Sequence, residues 1–313
     1  MPVGGVRVLY SHSQMVNDLA DERVNSQIFH WWEVNFVCNW FEHTAARKID
    51  KALNPDEHFV IFPESQMYTM WREMVEQGIR YGIFVQNGYV LDGNIAPEDI
   101  AQAYDKASLI ISISDDATQC IEFLFPQHMH KLVQVQPSVD PTLFHVDHGI
   151  SKSKVLTYMP RKSPRDLQLV NHYLKIKLPP GWTTKAIEGL NQEGVAKALQ
   201  DSPIFISFSE LEGFGLPPIE AALCGNLVVG YHGEGGREYW HQPLFTEVPR
   251  GHIRLFTQSV LEQIARIESK GIDLILQETE GARQALALRY SKENELLAMR
   301  NLVERVLKTF DPA

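Results

Sequence analysis

Residues 203–225 read PIFISFSELEGFGLPPIEAALCG. The opening PIFISFS is a continuous apolar run with small serines, the pattern of a parallel strand covered on both faces. A loop bearing Gly213 and Gly215 follows, and Pro217 and Pro218 suit the first turn of a helix, where a missing N–H costs nothing. Strand, glycine loop and helix in that order predict an α/β unit. Glycine lets the backbone approach a ligand closely, and amides at a helix N-terminus favour a phosphate. Glu212 in the loop and Glu220 in the expected first helical turn flank this point, with seven residues between them. A carboxylate accepts two hydrogen bonds from a vicinal diol, so the pair suits ribose and sugar hydroxyls. The plainer alternative is that Glu220 complements the helix dipole and Glu212 caps the loop.

The same strand–helix alternation extends in both directions. VRVLY (6–10), HFVIF (58–62), YGIFV (81–85), SLIISIS (108–114) and KLVQVQ (131–136) read as strands of a first unit. A polar stretch, HVDHGISKSK (145–154), interrupts the pattern before KVLTYM (154–159), PIFISFS and NLVVGY (226–231) resume it. Helical spacing then runs from Thr257 to Phe310. The expected architecture is α/β, two doubly wound Rossmann-like domains facing across a cleft, one over 1–150 and one over 151–313 with C-terminal helices.

SELEGFGLPPIEAALCGNLVV (209–229), followed by the glycine-rich GEGGREYW (233–240), resembles the nucleotide-sugar site of retaining glycosyltransferases of the GT-B fold, family four. The Glu212–x7–Glu220 spacing is that family's signature pair. SLIISISDDATQCIEF (108–123) and VQPSVDPTLF (135–144) are similar to the segment that closes the family's N-terminal domain. KVLTYMPRKSPRD (154–166) is similar to the first strand of its second domain, after which members place an Arg and a Lys; here these are Arg161 and Lys162. Without its position, this cluster would read as a solvated basic loop.

The resemblance implies a metal-independent transfer of sugar from a nucleoside diphosphate donor to a carbohydrate or lipid-linked hydroxyl, with retention of configuration, in polysaccharide or glycoconjugate assembly. By the same resemblance Glu220 holds the ribose diol and Glu212 lies near the transferred sugar. The amides of Gly213, Phe214, Gly215 and Leu216 face the diphosphate and sugar, Gly235, Gly236 and Glu238 border the donor, and Arg161 and Lys162 stabilise the departing diphosphate. The first half departs from the family. SHSQM (11–15) stands where a glycine-rich loop is usual, and VQNGY (85–89) places Gln86 and Asn87 where a catalytic histidine often lies. These departures leave a second class open, a non-catalytic partner of another glycosyltransferase, and a nucleotide-sugar epimerase on the same fold is a third.

The remaining observations mostly exclude. With 29 basic and 39 acidic residues in 313, the chain has a net charge of −10, which repels nucleic acid. Three cysteines without C-x-x-C spacing, no basic n-region and no long apolar run predict a cytoplasmic protein without disulfides. Walker and dinucleotide fingerprints are missing, as is the Asp-x-Asp of metal-bound nucleotide sugars, so neither a metal nor a cofactor is expected. His128 and His130 could bracket a metal only if they lay on a strand. FHWWEVNFVCNWF (29–41) reads as a largely buried helix whose residual aromatic surface leaves a homodimer contact open, and peripheral membrane association is open as well. Trp182 fits a base-stacking role less well than a core position.

Overall fold

The computed structural model describes residues 4–19, 21–31, 36–38, 41–48, 50, 52–89 and 95–311. The chain divides into two compact units, one formed by residues up to Pro137 together with those from Lys292 onward, the other by Ser138–Ser291. The division therefore falls before the expected 150/151 boundary, and the last helix, α10 (Lys292–Leu307), returns to the first unit.

In the first unit the strands β1 (Phe59–Pro63), β2 (Arg80–Val85), β3 (Leu109–Ser112) and β4 (Leu132–Gln134) form a parallel sheet in the order β1-β2-β3-β4. Helices α2 (Met67–Glu76), α3 (Pro97–Lys106) and α4 (Asp115–Leu124) connect them. β3 is buried along its whole length, as its unbroken apolar sequence demands.

VRVLY is not a strand. It lies within helix α1 (Gly4–Asp18), whose Val8, His12 and Met15 recur at i, i+4 and i+7 and are buried. A five-residue apolar run cannot distinguish strand from helix, and here the longer helical period prevails. His12 reaches Glu295 of α10 at 3.2 Å and stacks on Phe84 of β2. The expected helix over 29–41 is not formed by its described residues. Phe36 and Phe41 instead pack around Tyr10 and Cys38, while Trp32 and Trp40 lie outside the described residues. His128 and His130 sit in a 3-10 turn, Pro126–Lys131, rather than on a strand.

The second unit holds β5 (Val155–Tyr158), β6 (Thr183–Ala186), β7 (Ile204–Glu212), β8 (Leu227–Glu234) and β9 (Phe245–Glu247) in the parallel order β6-β5-β7-β8-β9. From β5 the chain moves outward to β6, then crosses back over β5 to β7. Helix α5 (Pro164–Lys177) packs on α8 (Ile253–Lys270), whereas α6 (Gln192–Asp201) packs on α7 (Leu216–Leu223), which also meets α9 (Ile272–Arg289). Right-handed crossovers require this division of helices. The core joins Leu156, Ile206 and Val229 of the sheet to Val170, Leu174 and Phe256 of the helices. Trp182 is part of it and donates its indole N–H to Glu268 at 2.9 Å, so it is a core tryptophan.

One buried acid of the first unit makes stability depend on pH. Glu64, directly after β1, accepts the Gln86 amide at 2.8 Å, and burial pushes its carboxyl up to about 7. A folded value above the usual 4.5 means that the native state holds the proton more tightly, so stability falls as pH rises through that interval. Glu64→Gln should raise stability near pH 8 by on the order of 3 kcal/mol, and with it the melting temperature, and lose most of that gain near pH 5. Melting curves of both proteins across pH check this; a gain that is equal at both ends would assign the effect to packing.

Candidate active site

The reversal of strand order between β5 and β7 brings together the segments that follow these two strands. Crevices at such switch points, beyond the carboxyl ends of parallel strands, are where open α/β sheets bind ligands. After β5 the chain turns through Arg161 and Lys162 to Ser163, which adopts φ 43° at the start of α5. After the regular part of β7 the register with β8 shifts between Ser209 and Glu212, and Leu211 adopts φ 45°. Such a bulge re-aims the side chains at the end of a strand. Ser163 donates its hydroxyl to Glu210 at 3.1 Å, and Glu210 also pairs with Arg250. Lys162 Nζ stands 3.2 Å from Glu212 Oε1. The two residues singled out on separate grounds are thus direct neighbours across the switch point.

The Gly213–Gly215 turn leads into α7, with Gly215 as its cap at φ 84°. Pro217 and Pro218 have no N–H, so the amides this helix end can offer belong to Gly213–Leu216. The turn is held from behind. Gly235 donates its amide to the Glu212 carbonyl at 3.0 Å, and a Cβ on Gly235 would lie 2.3 Å from the Gly213 carbonyl. Gly236 is equally confined, since a Cβ there would meet the His232 carbonyl at 2.4 Å. Gly235 is therefore required by close backbone packing against the turn, and Gly236 by packing against the end of β8 and the Tyr239 ring.

Tyr239 completes the brace. Its hydroxyl donates to the carbonyls of Phe214 at 3.1 Å and Gly215 at 2.5 Å, and burial raises its ionisation far above the usual phenol range. Phe214 packs edge-on against Tyr290 with ring centres 5.2 Å apart. Tyr290 in turn donates to Glu238 Oε1 at 2.7 Å.

The acids occupy different environments. Glu212 is partly exposed, whereas Glu220 is buried. Because α7 begins at Leu216, Glu220 is in its second turn and not the expected first. The Glu238 side chain is 3% exposed and also receives Arg289 at 3.3 Å. Arg161 is exposed next to Lys162. In the first unit, Gln86 and Asn87 do lie at the end of β2, but the Gln86 side-chain amide donates to the Gly5 carbonyl at 2.9 Å.

Sequence reasoning missed Tyr239, Tyr290, Ser163, Glu210 and Arg250. No spacing rule links Tyr290 to Phe214, although the aromatic Tyr239 in GEGGREYW was a usable signal. It also missed Lys152, whose Nζ donates to the carbonyls of Gln200, Ser202 and Cys224 at 2.8–2.9 Å. Burial pulls that ammonium down to about 8.

Three comparisons bear on this geometry. No family model matches the chain. An alpha-1,6-glucosyltransferase of Actinobacillus pleuropneumoniae serotype 7 (strain AP76) is 36% identical over 81 residues, which are 25% of this chain and 24% of that protein. Among solved structures, the pneumococcal O-GlcNAc transferase GtfA in complex with UDP and GlcNAc superposes with a TM-score of 0.61 at 16% identity, over 82% of this chain and 58% of that one. Sucrose-phosphate synthase of Thermosynechococcus elongatus gives 0.62 at 13%, over 80% and 74%. HepE of Anabaena in complex with UDP-glucose gives 0.58 at 14%, over 80% and 78%. The chain thus matches about a quarter of its curated relative and less than two thirds of GtfA. These likenesses establish the fold, two parallel α/β units of the GT-B type.

The brace is testable by itself. Tyr239→Phe keeps the ring and removes the donor, leaving two carbonyls without it, which should cost about 1–3 kcal/mol and lower the melting temperature by several degrees. An unchanged melting curve would show that the turn holds without the hydroxyl.

Proposed function

We propose that the chain is a glycosyltransferase, with the nucleoside diphosphate sugar held on the 138–291 unit and the sugar passed, with retention and without a metal, to a carbohydrate or lipid-linked hydroxyl. The observation that carries this reading is the Lys162–Glu212 contact at the switch point, immediately before a glycine turn and a helix N-terminus. A cation, a diol-binding carboxylate and amide donors stand together there. That set matches a diphosphate with its sugar. The partial likeness to an alpha-1,6-glucosyltransferase and the fold shared with chains crystallised with UDP point the same way.

In this reading the Gly213–Leu216 amides and the α7 dipole face the diphosphate, and Arg161 and Lys162 neutralise its charge as it departs. They take the place of a metal. Glu212 orients the transferred sugar and Glu220 the ribose, while Gly235 and Gly236 shape the donor's border. Retention rests on the resemblance of the 209–229 segment to retaining enzymes. A non-catalytic partner role draws support from the first unit, where α1 replaces the expected strand and Gln86 binds backbone.

The test is a thermal-shift series with UDP, GDP, ADP, dTDP and their sugar conjugates, with and without EDTA. A ligand at about 100 times its Kd stabilises the native state by roughly 2.7 kcal/mol. One nucleotide should raise the melting temperature regardless of EDTA. Arg161→Glu should weaken that shift, Glu220→Ala should mainly lower donor affinity, and Glu212→Ala should slow transfer by roughly a hundredfold or more. NMR of the product's anomeric proton reads retention against inversion, and incubation with donor alone exposes an epimerase. No shift with any nucleotide would favour the non-catalytic partner, and undiminished transfer by both glutamate variants would remove the assigned roles.

A further inference from the structure

Helix α5 has two apolar faces. Leu167, Val170 and Leu174 are buried in the core of the second unit, as one such face requires. Leu169, Tyr173 and Ile176 form the other at i, i+4 and i+7, and they are 39%, 43% and 67% exposed. At 100° per residue these three span a stripe of about 60°, with Arg165 and His172 along one margin and Lys177 along the other. The only acid of the helix, Asp166, accepts the Tyr231 hydroxyl at 2.9 Å and keeps its charge, so the helix carries three basic residues against one acid. Arg165, Lys175 and Lys177 are all exposed. In a chain of net charge −10, this helix presents a cationic apolar surface.

We infer that the outer face of α5 docks on an anionic lipid bilayer. An apolar stripe with basic margins and a tyrosine suits the headgroup boundary: the aliphatic side chains enter the acyl region, the phenol stays at the interface and the cations meet lipid phosphates. Area decides between this occupant and a folded protein. Three side chains on the convex surface of a helix of about 21 Å cover far less than the roughly 800 Å² per partner of a stable protein interface. A bilayer deforms around the helix and needs no complementary concave surface.

The experiment is co-sedimentation of the full chain with vesicles of phosphatidylcholine alone or mixed equally with phosphatidylglycerol. The chain should sediment with the mixed vesicles at low salt, not with the neutral ones, and should be released near 1 M salt, where the Debye length is about 3 Å. Arg165→Glu combined with Lys177→Glu should weaken binding at least about tenfold. Ile176→Asp should abolish it, and the exposed positions should leave the melting temperature unchanged. Absence of binding to the mixed vesicles, or unchanged binding by both variants, would overturn the inference. So would a concentration-dependent dimer that Ile176→Asp dissolves, since a second copy would then occupy the face. Vesicle binding is read without donor or acceptor, so its failure leaves the glycosyl-transfer reading untouched.

Discussion

Backbone approach between the β7–α7 turn and the loop after β8 governs the second unit's site. At Gly235 no side chain fits, because a Cβ there would run into the Gly213 carbonyl, and the Gly235 amide bonds the Glu212 carbonyl across the contact. The turn is consequently a wall of the domain core rather than a free loop. Its position follows from the sheet: strand order reverses between β5 and β7, so the wall faces the segment carrying Arg161 and Lys162. Tyr239 then fixes the orientation of the peptides, because its hydroxyl takes the Phe214 and Gly215 carbonyls on the core side. Moving any one of these pieces would move the rest.

The far end of α7 is fixed by a different device. Lys152 lies within the polar stretch 145–154, and its ammonium collects carbonyls from the end of α6 and the end of α7. Carbonyls at a helix C-terminus lack partners within the helix, and a cation is favoured there by the dipole. The same charge keeps Cys224 company in a buried setting, where desolvation pushes the thiol up to about 12 and leaves it inert. A helix held at both ends can present its N-terminus without reorganising when charge arrives.

The parallel strands of both units were legible because β3 and the first five residues of β7 are buried, which demands apolar or small side chains there. SELEGFGLPPIE was legible for a similar reason: close approach demands glycine, and a helix start tolerates proline. VRVLY failed the same test, since its β-branched residues also sit at helical spacing once Ser11–Met15 are counted. The contacts to Glu295 and Phe84 that stabilise it as a helix lie far away in sequence. Glu220's exact turn depended on one residue of helix start, the least determinate feature of a pattern. The Phe214–Tyr290 and Ser163–Glu210 contacts exist only in the folded chain, so no spacing announced them.

Exposure separates the acids of the site into two kinds. Glu220 and the Glu238 carboxyl are buried, and Glu238 already has a phenol and a guanidinium. Breaking such arrangements is expensive, because removal of one partner leaves a desolvated group behind. The Lys162–Glu212 pair is different: the side chains are 38% and 27% exposed, and an ion pair of that kind contributes at most about 1 kcal/mol. It can open at little cost and offer its cation to one ligand group and its carboxylate to another. Glu238 is thus tied into the scaffold of the turn, and the exposed Lys162–Glu212 pair is the part that can give up its internal contact.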